Sequence, residues 1–147
     1  MKALLGVRDL THTNKIDYLI GLGCDKVAHS KTTLLNHLMG VRDILKEQDA
    51  PEYLQDAGLF HSVYGTDYFK PQVTQNRLIV RELIGEQAEM LVWYFCRMPK
   101  PRAKKFGELE ESTFRDDLLL IEEANRYEQE SRKEPDMHDW KDFYKDV

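Results

Sequence analysis

The chain has 147 residues, 41% of them hydrophobic and 32% charged, with a formal net charge of -5. That length makes one domain with a core of its own, and the acidic balance argues against a dedicated nucleic-acid binder. The first residues place an Arg and an Asp where a leader would be apolar, and no stretch approaches the roughly 20 apolar residues of a membrane span, so a cytoplasmic protein without membrane partners is expected.

The spacing of apolar residues predicts an all-α fold, a compact bundle of about six helices in a single domain spanning 1–147. Its core runs over 14–132, ahead of a polar, aromatic tail from 133 to 147 that docks or stays loose. The first helix covers Asn14 to Leu22, with Ile16, Leu19 and Ile20 on one side and Gly21 and Gly23 at its end. Ser30 is the expected N-cap of the second helix, whose stripe is Leu34, Leu35, Leu38, Val41, Ile44 and Leu45. Asp49 and Pro51 open a third helix carrying Leu54, Ala57, Gly58 and His61 at helical spacing, and Tyr64-Gly65-Thr66 closes it. A fourth helix is expected over Gln75–Ile84, and a fifth, apolar nearly all round, over Glu86–Cys96. The run Arg97-Met-Pro-Lys-Pro-Arg-Ala-Lys-Lys105, with its two prolines, reads as a loop, solvated or gating an anionic substrate. Glu108 to about Arg132 is a long last helix with Phe114, Leu118, Ile121 and Asn125 on one face. Cys24 and Cys96 are too few for a disulfide scaffold and read as reduced thiols.

Three inward-facing polar residues carry the chemistry. His37 and His61 sit on the apolar stripes of successive helices joined by a short loop, which run antiparallel, so the two imidazoles can converge. The bland reading of each is a satisfied core histidine. Asn125 on the apolar face of the last helix has up to four hydrogen bonds to satisfy. Arg77 and Arg81, one turn apart, and Arg126 are candidate anion binders, against the plainer reading of solvated faces paired to Glu82, Glu123 or Glu128.

His37, the segment Ala57-Gly-Leu-Phe-His61 and the late Ala124-Asn125-Arg126 together resemble HD-domain phosphohydrolases such as the alarmone hydrolases. There the first His opens a helix pair, the second stands in an A-A-L-L-H-D segment, and a late A-D-R segment supplies an Asp. The resemblance spans about residues 29 to 130 and implies that His37 and His61 hold a metal. Ser62 and Asn125 stand where that family has two carboxylates. A hard cation would therefore be held poorly, leaving room for one divalent transition metal with His29, Asp67 or Asp117 as third ligand. The segment Phe60-His-Ser-Val-Tyr-Gly-Thr-Asp67 resembles a small HD-related family in which Ser follows the second His. In it His61 and Tyr64 can form a metal-free acid–base pair, or Tyr64 can simply pack and Thr66 cap a turn.

The expectation is a small-molecule enzyme working by acid–base or single-metal chemistry on a small polar or anionic substrate. His37, His61, Tyr64 and Asn125 would be catalytic, and Ser62, Thr66, Arg77, Arg81 and Arg126 would bind substrate. The alternatives are a silent HD-like domain that binds a ligand or protein, and a homodimer formed through the fifth helix and the tail.

Overall fold

The computed structural model describes residues 14–132, so the expectations for the tail lie outside the described residues. Seven helices and one short hairpin are found there: α1 (Asn14–Gly21), β1 (Ala28–His29), β2 (Thr32–Thr33), α2 (Leu34–Glu47), α3 (Glu52–Phe60), α4 (Arg77–Ile84), α5 (Glu86–Arg97), α6 (Arg102–Glu108) and α7 (Thr113–Arg132). The all-α expectation holds, with the hairpin as the one departure. The two strands pair antiparallel, Ala28 with Thr33 and His29 with Thr32.

The hairpin displaces the expected cap of α2. Ser30 sits at its tip with a φ of 52°. Thr33 caps the helix instead, its hydroxyl accepting from the Asn36 N–H at 3.2 Å. Both residue types suit a cap, and sequence alone did not show that two more residues were needed to turn the chain. The α2–α3 link closes with Asp49 at a φ of 59° and Pro51 in extended backbone ahead of α3. α3 then ends at Phe60, earlier than expected, and residues 61–64 form turns. Asn76 caps α4 through its side chain, which accepts from the Ile79 N–H at 3.3 Å. Gly85, at a φ of 89°, lets α5 start at once in a new direction.

The proline-rich basic run is only half a loop. Pro101 stands directly ahead of α6, which carries Arg102 and Phe106 inward. The last helix accordingly starts at Thr113 rather than Glu108.

α2 is the centre of the bundle, packed against α3 on one side and α7 on the other, while α5 backs α3. Leu38, Val41 and Leu45 of α2, Leu54 and Phe60 of α3, Val92 and Phe95 of α5 and Leu118 and Ile121 of α7 are fully buried. α5 is thus mainly a core helix, and Met90 is its one large exposed apolar residue. Among the described residues no helix is long and apolar enough to cross a membrane.

Gly58 sets how closely α2 and α3 approach. A Cβ there would lie 2.5 Å from Leu45 Cδ1 and 3.2 Å from Val41 Cγ1. Gly58→Ala gains helix propensity of about 1 kcal/mol but overpacks a core with no slack, at a cost of about 1–3 kcal/mol. A net loss of about 1 kcal/mol is expected in urea unfolding, against the gain that an open helical glycine would give.

Candidate functional site

The two predicted histidines meet. His37, at 0% exposure on α2, places its Nε2 3.2 Å from Nε2 of His61, which follows α3 and is 2% exposed. The outer nitrogen of each ring is already engaged. His61 Nδ1 donates to the Gly58 carbonyl at 2.8 Å. His37 Nδ1 bonds to Oε1 of Glu128 on α7. Arg132, one turn on, grips the same carboxylate with Nε at 2.6 Å and Nη2 at 2.8 Å.

Donor accounting then constrains the protons. The Gly58 carbonyl only accepts, so His61 carries its hydrogen on Nδ1 and is bare at Nε2. Burial, with His37 beside it, holds His61 well below the ordinary imidazole value, so it is neutral. Burial alone would raise Glu128, but the bonds from His37 and Arg132 outweigh it and hold the carboxylate below its usual range. An ionised Glu128 also only accepts, so His37 Nδ1 carries a hydrogen. Two bare Nε2 atoms would then oppose each other at 3.2 Å. The contact becomes attractive when His37 carries a second proton on Nε2 and donates it to His61. A proton shared by the two Nε2 atoms, or a bound group between them, would complete the buried chain Glu128–His37–His61.

A third imidazole joins them. His29 of β1 stacks on His37 with centroids 4.0 Å apart and planes 11° apart. Burial, then His37, pull His29 down to about 3. Because the two rings are parallel, their in-plane lone pairs run side by side and do not converge on one point. Among the described residues no three His, Cys, Asp or Glu side chains are grouped to hold a metal. Of the other suggested ligands, Asp67 accepts from the Lys100 N–H at 2.9 Å and Asp117 from the Tyr53 hydroxyl at 2.8 Å. Neither borders the histidines' cavity.

That cavity, of about 210 Å³, opens beside the chain of imidazoles. His29, His61, Ser62 and Thr66 form one part of its wall. Tyr68, Phe69, Arg102, Asn125 and Gln129 complete it with the hairpin tip at Ser30. His37 does not line it and sits behind His29 and His61. Asn125, 5% exposed, accepts from Gln129 Nε2 at 3.1 Å. Thr66 Oγ1 accepts from the backbone N–H groups of Tyr68 and Phe69, which is the turn-capping role open to it from sequence. Three buried polar atoms in the cavity-lining residues have no protein partner: His29 Nδ1, Ser62 Oγ and Arg102 Nε.

Other expected site residues lie elsewhere. α3 ends before His61, so the helical relation that would put Tyr64 beside it is lost. Tyr64 instead turns towards α5, donates to Glu89 Oε2 at 2.8 Å and packs edge-on against Trp93. Burial and that bond push its hydroxyl far above the usual value, so it does not form the acid–base pair with His61. Arg77 closes on the same Glu89 at 2.7 and 3.0 Å, and Arg81 approaches it at 3.9 Å. Both serve a structural ion pair between α4 and α5, with a partner different from the expected Glu82. Arg126 Nε is 3.8 Å from Glu122 on its own helix, and its surroundings at the surface are Glu123, Tyr127 and Glu130.

From sequence Glu128 was named only as a surface partner for the helical arginines, and Arg132, Arg102 and Glu122 were not singled out. A charged residue one turn from its opposite on a polar helix reads as a surface pair. The signal that could have found Glu128 is Gly40, one turn after His37 on α2. A Cβ at Gly40 would stand 2.7 Å from Glu128 Cγ, so the glycine makes room for the carboxylate.

Acid should weaken this fold through its neutral histidines. An unfolded chain protonates His29 and His61 near 6.5, while the folded values lie below that, at about 3 for His29. Their contribution is complete above 6.5 and is lost as pH falls towards 3. Burial raises Glu122, Asp56 and Asp117, which act oppositely but only lower down, in the carboxylate range. The urea midpoint should therefore drop between about pH 7.5 and about pH 5.5, and less steeply in His29→Gln. Equal midpoints at both pH values would contradict neutral, buried imidazoles.

Over residues 18–100 the sequence matches the family described as Domain of unknown function (DUF6817). The matched segment takes in His29, His37 and His61 and stops ahead of α6 and α7. No curated protein matches the chain, and no solved structure does.

Proposed function

Because the chain belongs to the family described as a domain of unknown function (DUF6817), we propose its function from its own side chains: a cytosolic small-molecule enzyme that moves protons to or from a small anionic substrate in the cavity beside His61. The carrying observation is the 3.2 Å opposition of two imidazole nitrogens whose other nitrogens are both committed. His61 is the member that borders the cavity, and it exchanges the proton through Nε2 when a substrate takes the place of His37 there, Nδ1 staying on the Gly58 carbonyl. His37 supplies it from behind. Glu128 and Arg132 position His37 and steady its charge, as a carboxylate does behind a catalytic imidazole. Asn125, Ser62 and Thr66 orient the substrate. In this reading the site is a divergent HD-type site in which Ser62 and Asn125 have replaced the metal-binding carboxylates.

Turnover tests it. Hydroxy acids, keto acids and phosphomonoesters are offered to the purified protein and followed by mass spectrometry. One class should be converted, about a hundredfold more slowly by His61→Gln. Conversion that ignores this substitution sinks the acid–base role, and binding without conversion favours the silent ligand-binding alternative.

A single divalent transition metal is the second reading, and one observation favours it. Both outer nitrogens donate to a carbonyl or carboxylate, as those of metal-ligating histidines do when their rings are held from behind. His37 and His61 would hold the metal, which would supply Lewis-acid activation of the substrate. Two protein ligands hold a metal weakly compared with the usual three or four. Stoichiometric metal that is lost in His61→Ala would favour this reading over the shared proton.

A further inference from the structure

Arg102 opens α6 and is 4% exposed, an unusual place for a guanidinium. Two rings fix its plane: Phe95 and Tyr68 each lie with their centroid 4.4 Å from its central carbon. Nη1 donates to Glu122 Oε1 at 2.9 Å. Nε is buried without a protein partner, on a residue that lines the cavity. Ser62 Oγ, buried at 3% exposure, is also without a partner. Thr66 Oγ1 already accepts from two backbone N–H groups, which leaves its own hydrogen to donate. Buried donors left unpaired are a cost that a fold seldom bears without cause.

We propose that the cavity takes a small, singly charged carboxylate, docked on the unpaired Nε edge of Arg102 with Ser62 and Thr66 as further donors. This rests on the reading of the cavity as the substrate site and names the class of substrate. A carboxylate is planar and matches the edge of a guanidinium fork. The charge balance selects a monoanion. Among the described residues that line the cavity, Arg102 is the one Lys or Arg, and Glu122 already answers part of its charge. A doubly charged phosphate would stay under-neutralised there. Tyr68, Phe69 and His29 give the wall apolar surface for the carbon body. A space of about 210 Å³, roughly the volume of seven waters, limits that body to a small one.

Acetate, lactate, benzoate and inorganic phosphate are titrated calorimetrically into the full chain. At least one carboxylate should saturate and bind more tightly than phosphate. Ser62→Ala removes a hydroxyl that nothing in the protein pairs with, so it should melt no lower than the wild type yet bind that carboxylate about tenfold more weakly. Arg102→Lys keeps the charge but loses the fork and should bind more weakly still. Should the lysine variant fail to fold, Ser62→Ala decides alone. Unchanged affinity in a folded Ser62→Ala, or phosphate binding with no carboxylate response, overturns the carboxylate assignment while leaving a ligand cavity beside His61. No response to any of the four anions overturns both this inference and the reading it rests on.

Discussion

Phe95→Ala should cost the fold about 3–5 kcal/mol, the usual range for emptying a fully buried aromatic position. Phe95 is at 0% exposure on the inner face of α5. Its ring meets the His61 imidazole at 80° with centroids 5.6 Å apart, and it forms one of the two ring faces against Arg102. The substitution therefore opens the core and loosens two cavity residues at once. Denaturant unfolding should show the full loss in Phe95→Ala and a smaller one in Phe95→Leu, which keeps most of the volume. A loss below about 1 kcal/mol would mean that α5 is not packed as described.

Glu128→Ala is the second large effect, expected at about 3 kcal/mol in neutral solution. The carboxylate is the shared partner of His37 and Arg132, and its removal strands a buried imidazole and a half-buried guanidinium without their acceptor. The pH dependence is specific. Glu128 sits below its ordinary value in the fold, so its contribution is present above 4.5 and lost as pH falls below it. Wild type and variant should converge in acid. Gly40→Ala approaches the same contact from α2, since the new methyl would press on Glu128 Cγ. It should weaken the fold in the same direction and disturb the His37 resonances in NMR spectra, whereas an ordinary helical Gly→Ala exchange stabilises. A Glu128→Ala protein as stable as the wild type would remove the carboxylate from the account.

The parts of this protein that sequence made legible are those ruled by local periodicity. The apolar stripe of α2 points His37 inward, and that of α3, continued one residue past its end, points His61 at it. Asn125 lies on the cavity side of α7 through the apolar stripe of that helix. What stayed hidden depends on contacts between distant segments. Tyr64 follows His61 at helical spacing, yet the helix has ended, and its partner Glu89 lies on α5. Arg102 sits in a run dense in proline and lysine that looks like any solvated loop. Only its burial between Phe95 and Tyr68, far apart in sequence, separates it from its neighbours. Glu128 and Arg132 look like one more surface pair until the space opposite Gly40 is seen. The hairpin at Ala28–Thr33 is too short for period-two alternation to show, and it is what lays His29 on His37.

The shared proton is best tested by long-range nitrogen–proton NMR of the imidazoles near neutral pH, where each ring nitrogen reports its own hydrogen. A hydrogen shared between the two Nε2 atoms is expected, with each ring also protonated on Nδ1, and the shared hydrogen should be lost when Glu128 is replaced by alanine. Two neutral rings, each bearing only its outer hydrogen, would contradict it and leave the facing nitrogens to be bridged by something other than a proton.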